Sequence, residues 1–351
     1  MISLRKFSQI SALLLLGILL VLLSLYALLL VINWQDETPS ADALLFQSVL
    51  TESPAVDDRN NGYQHLLKNS DPAKLSVSET FNALQKECDQ GDCHAALIAA
   101  KTELPVLIAE HQALLDFYHQ LQSFKHWQET QLTHHSEIPS YQPLMNAHRL
   151  YLVQVWLSVQ EGDFMQAKQL LQSDLLFWRF VLSHNGYLLS SMISHAALHR
   201  HFTFSQMLLE SLEPEQQIAL APTNWQKPFS DEELSLKRAY AGEWSFSNGY
   251  IQEMIAAPLS DLANSWQERV YMWFSRPFLL PQATANHHAT LLLACEDERP
   301  QQEIRWYQWV YNPLGKLINE AGSSYCNRYS LQEIEQQRQE TIARFVNLTL
   351  N

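Results

Sequence analysis

The sequence predicts an all-α protein in which an N-terminal transmembrane helix carries an irregular exported domain built from helical hairpins. Three observations lead there. The first is a charge-free run from Ile10 to Ile32, ISALLLLGILLVLLSLYALLLVI. The second is composition: the 351 residues include only 9 glycines, none between Gly91 and Gly162, while the helix-favouring Leu, Gln, Ala and Glu are abundant. The third is periodicity, since apolar residues recur at three- and four-residue steps and strict alternation is hard to find.

Taken in order, the apolar run comes first. As a helix it rises about 1.5 Å per residue to roughly 34 Å, enough to cross the ~30 Å hydrocarbon core. Arg5 and Lys6 precede it and the first charges after it are Asp36 and Glu37, so the positive-inside rule assigns residues 1–9 to the cytoplasm and everything from Asn33 to the outside. A cleaved signal peptide has an apolar part of about 7–15 residues and an A-x-A exit, whereas this run is longer and ends without one. Tyr26 and Trp34 flank its outer end, where amphipathic rings favour the interface.

The formal net charge is −14, and the two cations before the span make the exported part more acidic still. Such a surface repels phosphate backbones, so nucleic acid is not an expected partner. Cys88, Cys93, Cys295 and Cys326 form an even set in a segment placed in an oxidising compartment, and three connectivities are open. Sequence proximity favours Cys88–Cys93 with Cys295–Cys326; free, buried thiols are the alternative. Four residues separate Cys88 from Cys93, so the pair is not a C-x-x-C redox motif.

Residues 33–75 are rich in Asp, Asn, Ser and Pro and read as a stalk with one or two short helices, the first over the apolar stretch Ala43–Leu50. The helical exported domain is expected over 76–351. Ser76 and Glu79 stand in capping-box spacing and open a helix that stops near the Cys88–Cys93 turn. The next helix is expected from Pro105 to Gln128. Pro139 and Pro143 then break the pattern. A helix at 144–161, a turn at Glu161-Gly162-Asp163, a second helix to His184, a break at Asn185-Gly186 and a third helix follow. In the second of these, Phe164, Ala167, Leu171, Leu175, Trp178 and Leu182 share one face.

The proline-rich stretch at 213–229 reads as a possible boundary. Ser230 and Glu233 form a second capping box, opening a helix with Leu234, Ala241 and Trp244. Leu262, Trp266, Val270, Trp273 and Phe274 share a helical face that reads as core, with a bilayer-facing role as the alternative. QATANHHATLLLAC is another helix and EDERPQQE a solvated loop. The last helix starts at Ser330, boxed by Glu333, with Leu331, Ile334, Ile342 and Phe345 on its apolar face.

Few residues stand in arrangements that carry chemistry. His195 and His199 have the i, i+4 spacing that lets two imidazoles share a metal, but the Glu of H-E-x-x-H is missing and a packed histidine seam is the plain reading. Cys93-His94 beside Cys88 offers soft ligands only if the thiols are reduced. In Asn312-Pro313-Leu314-Gly315-Lys316, Asn312 reads as an N-cap and Pro313 as the first helical residue. Gly315 and Lys316 at that helix end suggest an anion, although no Walker pattern surrounds them. No G-x-S-x-G, zincin or G-x-G-x-x-G motif occurs, so no catalytic residue, metal or cofactor is assigned.

Two resemblances complete the reading. EGDFMQAKQLL resembles the turn and second helix of a tetratricopeptide unit, with no copy at a 34-residue period to make an array. Asn61-Gly62-Tyr63, Gly162-Asp163-Phe164, Phe177-Trp178-Arg179, Gln282 to Asn286 and Asn312 to Lys316 together resemble uncharacterised bacterial single-pass membrane proteins with a helical exported part. That resemblance implies a bacterial inner-membrane anchor with the C-terminal domain in the periplasm, and it brings no activity with it. The expected function is a membrane-anchored module for protein binding or scaffolding; the alternative is an anchored hydrolase whose site forms only in the fold.

Overall fold

A computed structural model describes residues 4–52, 55–130, 136–258, 265–297, 304–322 and 331–349. The fold is all-α: among the described residues the only β feature is one isolated bridge between Asn61 and His126. In chain order the helices are α1 (Leu4–Ile32), α2 (Ala41–Thr51), α3 (Gly62–Asn69), α4 (Glu79–Gln90), α5 (Cys93–Ala100), α6 (Leu104–Glu110), α7 (Gln112–Ser123), α8 (Tyr141–Gln160) and α9 (Phe164–His184). They continue as α10 (Leu188–Glu210), α11 (Pro214–Leu220), α12 (Asp231–Leu234), α13 (Lys237–Ala256), α14 (Trp266–Ser275), α15 (Pro281–Glu296), α16 (Pro313–Gly322) and α17 (Gln332–Thr349). The chain forms two compact units, one of 1–48 with 244–328, the other of 49–243 with 329–351.

The second unit holds the largest buried side chains. Its centre is the hairpin of α8 and α9, with α10 packed on α9 and α17 on α10. The hairpin turns at Gly162, whose φ of 81° lies in the left-handed region that glycine enters without a Cβ penalty. Asp163 then caps α9 by accepting from the Gln166 amide at 2.9 Å. Ala167, Leu171, Leu175, Trp178 and Leu182 are buried, as their spacing predicts. Residues 213–229 carry α11 and a short 3₁₀ turn inside this unit, with Leu220 and Trp225 buried.

Several helix ends differ from expectation for local reasons. The helix expected from Ser76 begins at Glu79, because Ser78 is the residue whose hydroxyl accepts, from the Phe81 amide at 3.3 Å. The helix expected over Pro105–Gln128 is broken at His111 and ends at Ser123. The His111 ring donates from Nδ1 to the Leu107 carbonyl at 2.8 Å and accepts the Ser78 amide on Nε2 at 2.9 Å, so α6 and α7 meet at a pinned corner. The Ser230–Glu233 capping box forms, but its helix is only α12, and the chain restarts as α13. Ser330 lies outside the described residues, as does the side chain of Phe345; Leu331, just before the last helix, and Ile334 on it are buried.

The first unit contains α1, the one helix among the described residues long and apolar enough to cross a membrane, over Ala12–Ile32. Around its C-terminal end a polar lattice gathers. Asn33 Nδ2 donates to the Val310 carbonyl at 2.9 Å, while Asp36 accepts from the amides of Gln282 and Ala283 at 2.8 and 2.9 Å, at the start of α15. Asn286 Nδ2 donates to Glu37 at 2.8 Å. The stripe Trp266, Val270, Trp273 and Phe274, expected as core, is instead exposed, because no residue of α14 is buried. Leu262 lies outside the described residues.

Candidate functional site

A cleft of about 550 Å³ in the second unit lies between α4, α8 and α10. Phe81 and Leu84 from α4, Leu152 and Val153 from α8, and Ala196 and Phe204 from α10 make its apolar walls. Its rim is the turn between Cys88 and Cys93, whose sulfurs lie 2.07 Å apart, at disulfide distance. This is one of the two pairs that proximity favours; the second involves Cys326, which lies outside the described residues.

The turn presents Asp89 to two arginines on different helices. Arg149 Nη2 donates to Asp89 Oδ2 at 3.1 Å and Arg200 Nη2 to Asp89 Oδ1 at 3.2 Å. Arg149 Nη1 also donates to Gln85 Oε1 at 2.8 Å. Among the described residues Arg149 Nε and Arg200 Nη1 have no acceptor. Two guanidiniums thus share one carboxylate, and a second, Asp92, also lines the cleft. Partial removal from water pushes the Arg200 pKa down, and the like charge of Arg149 adds to that, with Asp89 acting in the opposite sense.

Behind the cleft a sealed polar network holds α7, α8, α9 and α10 together. Asp174 on α9 is fully buried. Its Oδ1 accepts from the Tyr118 hydroxyl at 2.5 Å, and its Oδ2 from His201 Nδ1 at 2.7 Å and His148 Nε2 at 3.3 Å. Trp225 Nε1 donates to His201 Nε2 at 3.0 Å, which fixes that ring as the Nδ1–H tautomer. Burial alone would raise the Asp174 pKa; the two histidines facing it outweigh that and hold it below the ordinary carboxylate range. An Asp–His pair of this kind orients a catalytic base in hydrolases, but here the far nitrogen of His201 is occupied by an indole and the ring is fully buried, so the arrangement is structural.

The two layers share helices residue by residue. His148 and Arg149 are neighbours on α8, Arg200 and His201 on α10, and in each pair the histidine turns inward to Asp174 while the arginine lines the cleft. Farther along α9, Arg179 makes a bidentate pair with Glu233, Nε to Oε1 and Nη2 to Oε2, both 2.6 Å, and donates to the Lys227 and Pro228 carbonyls at 2.7 Å each.

A second cleft of the same unit, about 490 Å³, is lined by Glu129, His126, His184 and Arg238. Glu129 accepts from the Gly186 amide at 2.9 Å and from Trp127 Nε1 at 3.3 Å. Withdrawal from water raises its pKa to about 7; bonds from Ser190, Gly186 and Trp127 work against the rise and Glu243 adds to it.

The residues singled out from the sequence fall elsewhere. The His195 and His199 rings lie 6.5 Å apart between centroids, with His199 in the arginine cleft, and among the described residues no group of three His, Cys, Asp or Glu could hold a metal. Asn312, Gly315 and Lys316 belong to the lattice of the first unit. Asn312 has φ 48°, its amide donates to Asn33 Oδ1 at 2.7 Å and its Oδ1 accepts the Leu280 amide at 2.9 Å. Lys316 Nζ donates to the Gln308 and Tyr311 carbonyls, both at 2.6 Å. A Cβ on Gly315 would stand 2.0 Å from Thr284 Oγ1, so the glycine admits a neighbouring helix. Sequence reasoning missed Asp89, Arg149 and Arg200; the one available signal is the mirrored pair His148-Arg149 and Arg200-His201. Compared with known proteins, the chain matches no family model, and neither a curated protein nor a solved structure is significantly similar to it.

Proposed function

We propose that this chain is a single-pass protein of the bacterial inner membrane, anchored by α1, whose periplasmic helical unit captures a protein partner in the Arg149–Arg200 cleft. The observation that carries the reading is the pair of guanidiniums converging on Asp89 between apolar walls. Guanidiniums bind carboxylates in a charge-assisted, often bidentate way, and apolar walls reward aliphatic neighbours, so the matching ligand is a peptide segment bearing an acidic group beside apolar side chains. Arg5 and Lys6 before the apolar run support the orientation, and the Cys88–Cys93 pair suits an oxidising compartment.

The test uses the full chain in its native membrane, with a photo-crosslinking amino acid at exposed Thr203 on the cleft wall. A discrete partner adduct is expected, lost in Arg149→Ala and Arg200→Ala. An adduct unchanged by both substitutions, or none at all, overturns the reading. A second reading, an anchored hydrolase, draws on Glu129: a half-buried carboxyl titrating near 7 beside His126 and His184 is suited to proton transfer. Loss of a membrane-associated hydrolytic activity in Glu129→Gln, with Arg149→Ala active, would favour it.

A further inference from the structure

We infer that α14 and the turn Trp306–Val310 form a lipid-binding collar that seats the first unit in the outer headgroup layer of the bilayer crossed by α1. The inference rests on α1 being the span and goes beyond it by adding a second membrane contact. Position is the first argument. Tyr26 lies six residues before Ile32, about 9 Å below the outer end of α1 at about 1.5 Å per residue. Its hydroxyl donates to the Phe274 carbonyl at 3.2 Å, and its ring meets those of Phe274 and Phe278, each at 5.6 Å between centroids. The end of α14 is therefore held beside α1 nearly two turns inside the end of the apolar helix. Trp306–Val310 is held slightly higher, through Asn33 and the Val310 carbonyl at 2.9 Å and through Tyr311, whose hydroxyl donates to the Gln35 carbonyl at 3.2 Å.

Exposure is the second argument. Trp266, Val270, Trp273 and Phe274 are 67, 47, 60 and 47 % exposed, and at about 100° per residue they fall within an arc of roughly 100°. Trp306 is 84 % exposed at the neighbouring turn. Water does not retain so much aromatic surface on one strip without a cover, and the span continuous with it names the cover. An interfacial helix sinks its apolar face about 5–10 Å into the headgroup and acyl boundary, which agrees with the Tyr26 offset. Charge is the third argument. Glu268 sits across the helix from the aromatic strip, Arg269 flanks the strip, Arg276 follows it, and Arg305 directly precedes Trp306, so three cations accompany the exposed aromatics. Arginines at that level reach lipid phosphates while their stems stay in the apolar layer.

The experiment places the full chain in nanodiscs of phosphatidylethanolamine and phosphatidylglycerol, a fraction of the lipid carrying a carbene precursor near the top of one acyl chain. After illumination the labelled peptides are mapped. Labels are expected in α1, in the peptide containing Trp266–Arg276 and in the one containing Arg305–Tyr311. Trp266→Gln with Trp273→Gln should cut α14 labelling severalfold and leave α1 labelling unchanged, whereas Trp273→Phe, which keeps an aromatic ring, should retain it. Labels confined to α1 overturn the collar alone. No label in α1 overturns the anchor reading first. Crosslinking of α14 to a second copy of the chain in place of lipid also overturns the collar.

Discussion

Replacing Asp174 with alanine should remove a large part of the stability of the second unit. The substitution takes the acceptor from three buried donors at once, the Tyr118 hydroxyl, His201 Nδ1–H and His148 Nε2–H. An orphaned buried polar group costs about 1–3 kcal/mol, and here three donors lose their acceptor together. A loss of roughly 4 kcal/mol is thus expected against a typical total of about 5–15 kcal/mol. Asp174→Asn is the control. With its oxygen toward the two histidines and its NH2 toward Tyr118, whose hydroxyl can accept, it keeps the bonds and loses only the charge, so about 1–2 kcal/mol is expected. The pH course has a definite sign. A carboxyl held below its ordinary 3.8 contributes stability above that value and loses it as pH falls through the folded-state pKa. Denaturant unfolding of the full chain, followed by tryptophan fluorescence, gives the midpoints. Equal midpoints for Asp174→Ala and Asp174→Asn, or an alanine variant within about 1 kcal/mol of wild type, would refute the acceptor argument.

Two further outcomes are open to measurement. Glu129 is raised from 4.5 to about 7, so its contribution is present below 4.5 and lost as pH rises through 7; Glu129→Gln should flatten the fall in stability between pH 5 and 8 and stabilise the protein at pH 8 by about 1–3 kcal/mol, read from denaturation midpoints. Gly315→Ala should destabilise the first unit by about 1–3 kcal/mol or more, since its Cβ would lie 2.0 Å from Thr284 Oγ1 and 2.4 Å from Asn312 Nδ2; adding Thr284→Ala, which removes the nearer atom, should recover part of the loss in a double-mutant cycle.

The all-α class, the apolar span and the α8–α9 hairpin were legible because each is written in neighbouring residues: composition, a charge-free run, a helical stripe ended by Glu161-Gly162-Asp163. The corner at His111 was not, because it depends on Ser78, 33 residues away, occupying the ring. The α14 stripe was legible as amphipathic but not in its destination, since period fixes a face and says nothing about what covers it. Asn312, Gly315 and Lys316 read correctly as a helix start. Their partners Asn33, Leu280 and Thr284 are distant in sequence, and those partners tie the segment into the first unit. Asp89, Arg149 and Arg200 span 112 residues of sequence and converge only when α4, α8 and α10 pack.

The sealed network and the open cleft are two faces of one device. Successive residues on a helix point about 100° apart, so fixing one side chain fixes the direction of the next. Asp174 holds His148 on α8 and His201 on α10, and thereby sets the rotation of both helices about their own axes. Arg149 and Arg200, the adjacent residues, are then aimed at the same point, where the Cys88–Cys93 turn delivers Asp89. A charge buried this deeply is a poor way to gain net stability, since an apolar replacement of similar shape often does as well. It is a good way to specify orientation, because a carboxylate with three donors tolerates little rotation of the helices that carry them. The Asp174→Asn variant separates the two roles: it should retain the capture of an acidic ligand by Arg149 and Arg200 while losing stability. Retention of that capture in folded Asp174→Ala, which removes all three bonds, would show that the network does not aim the arginines.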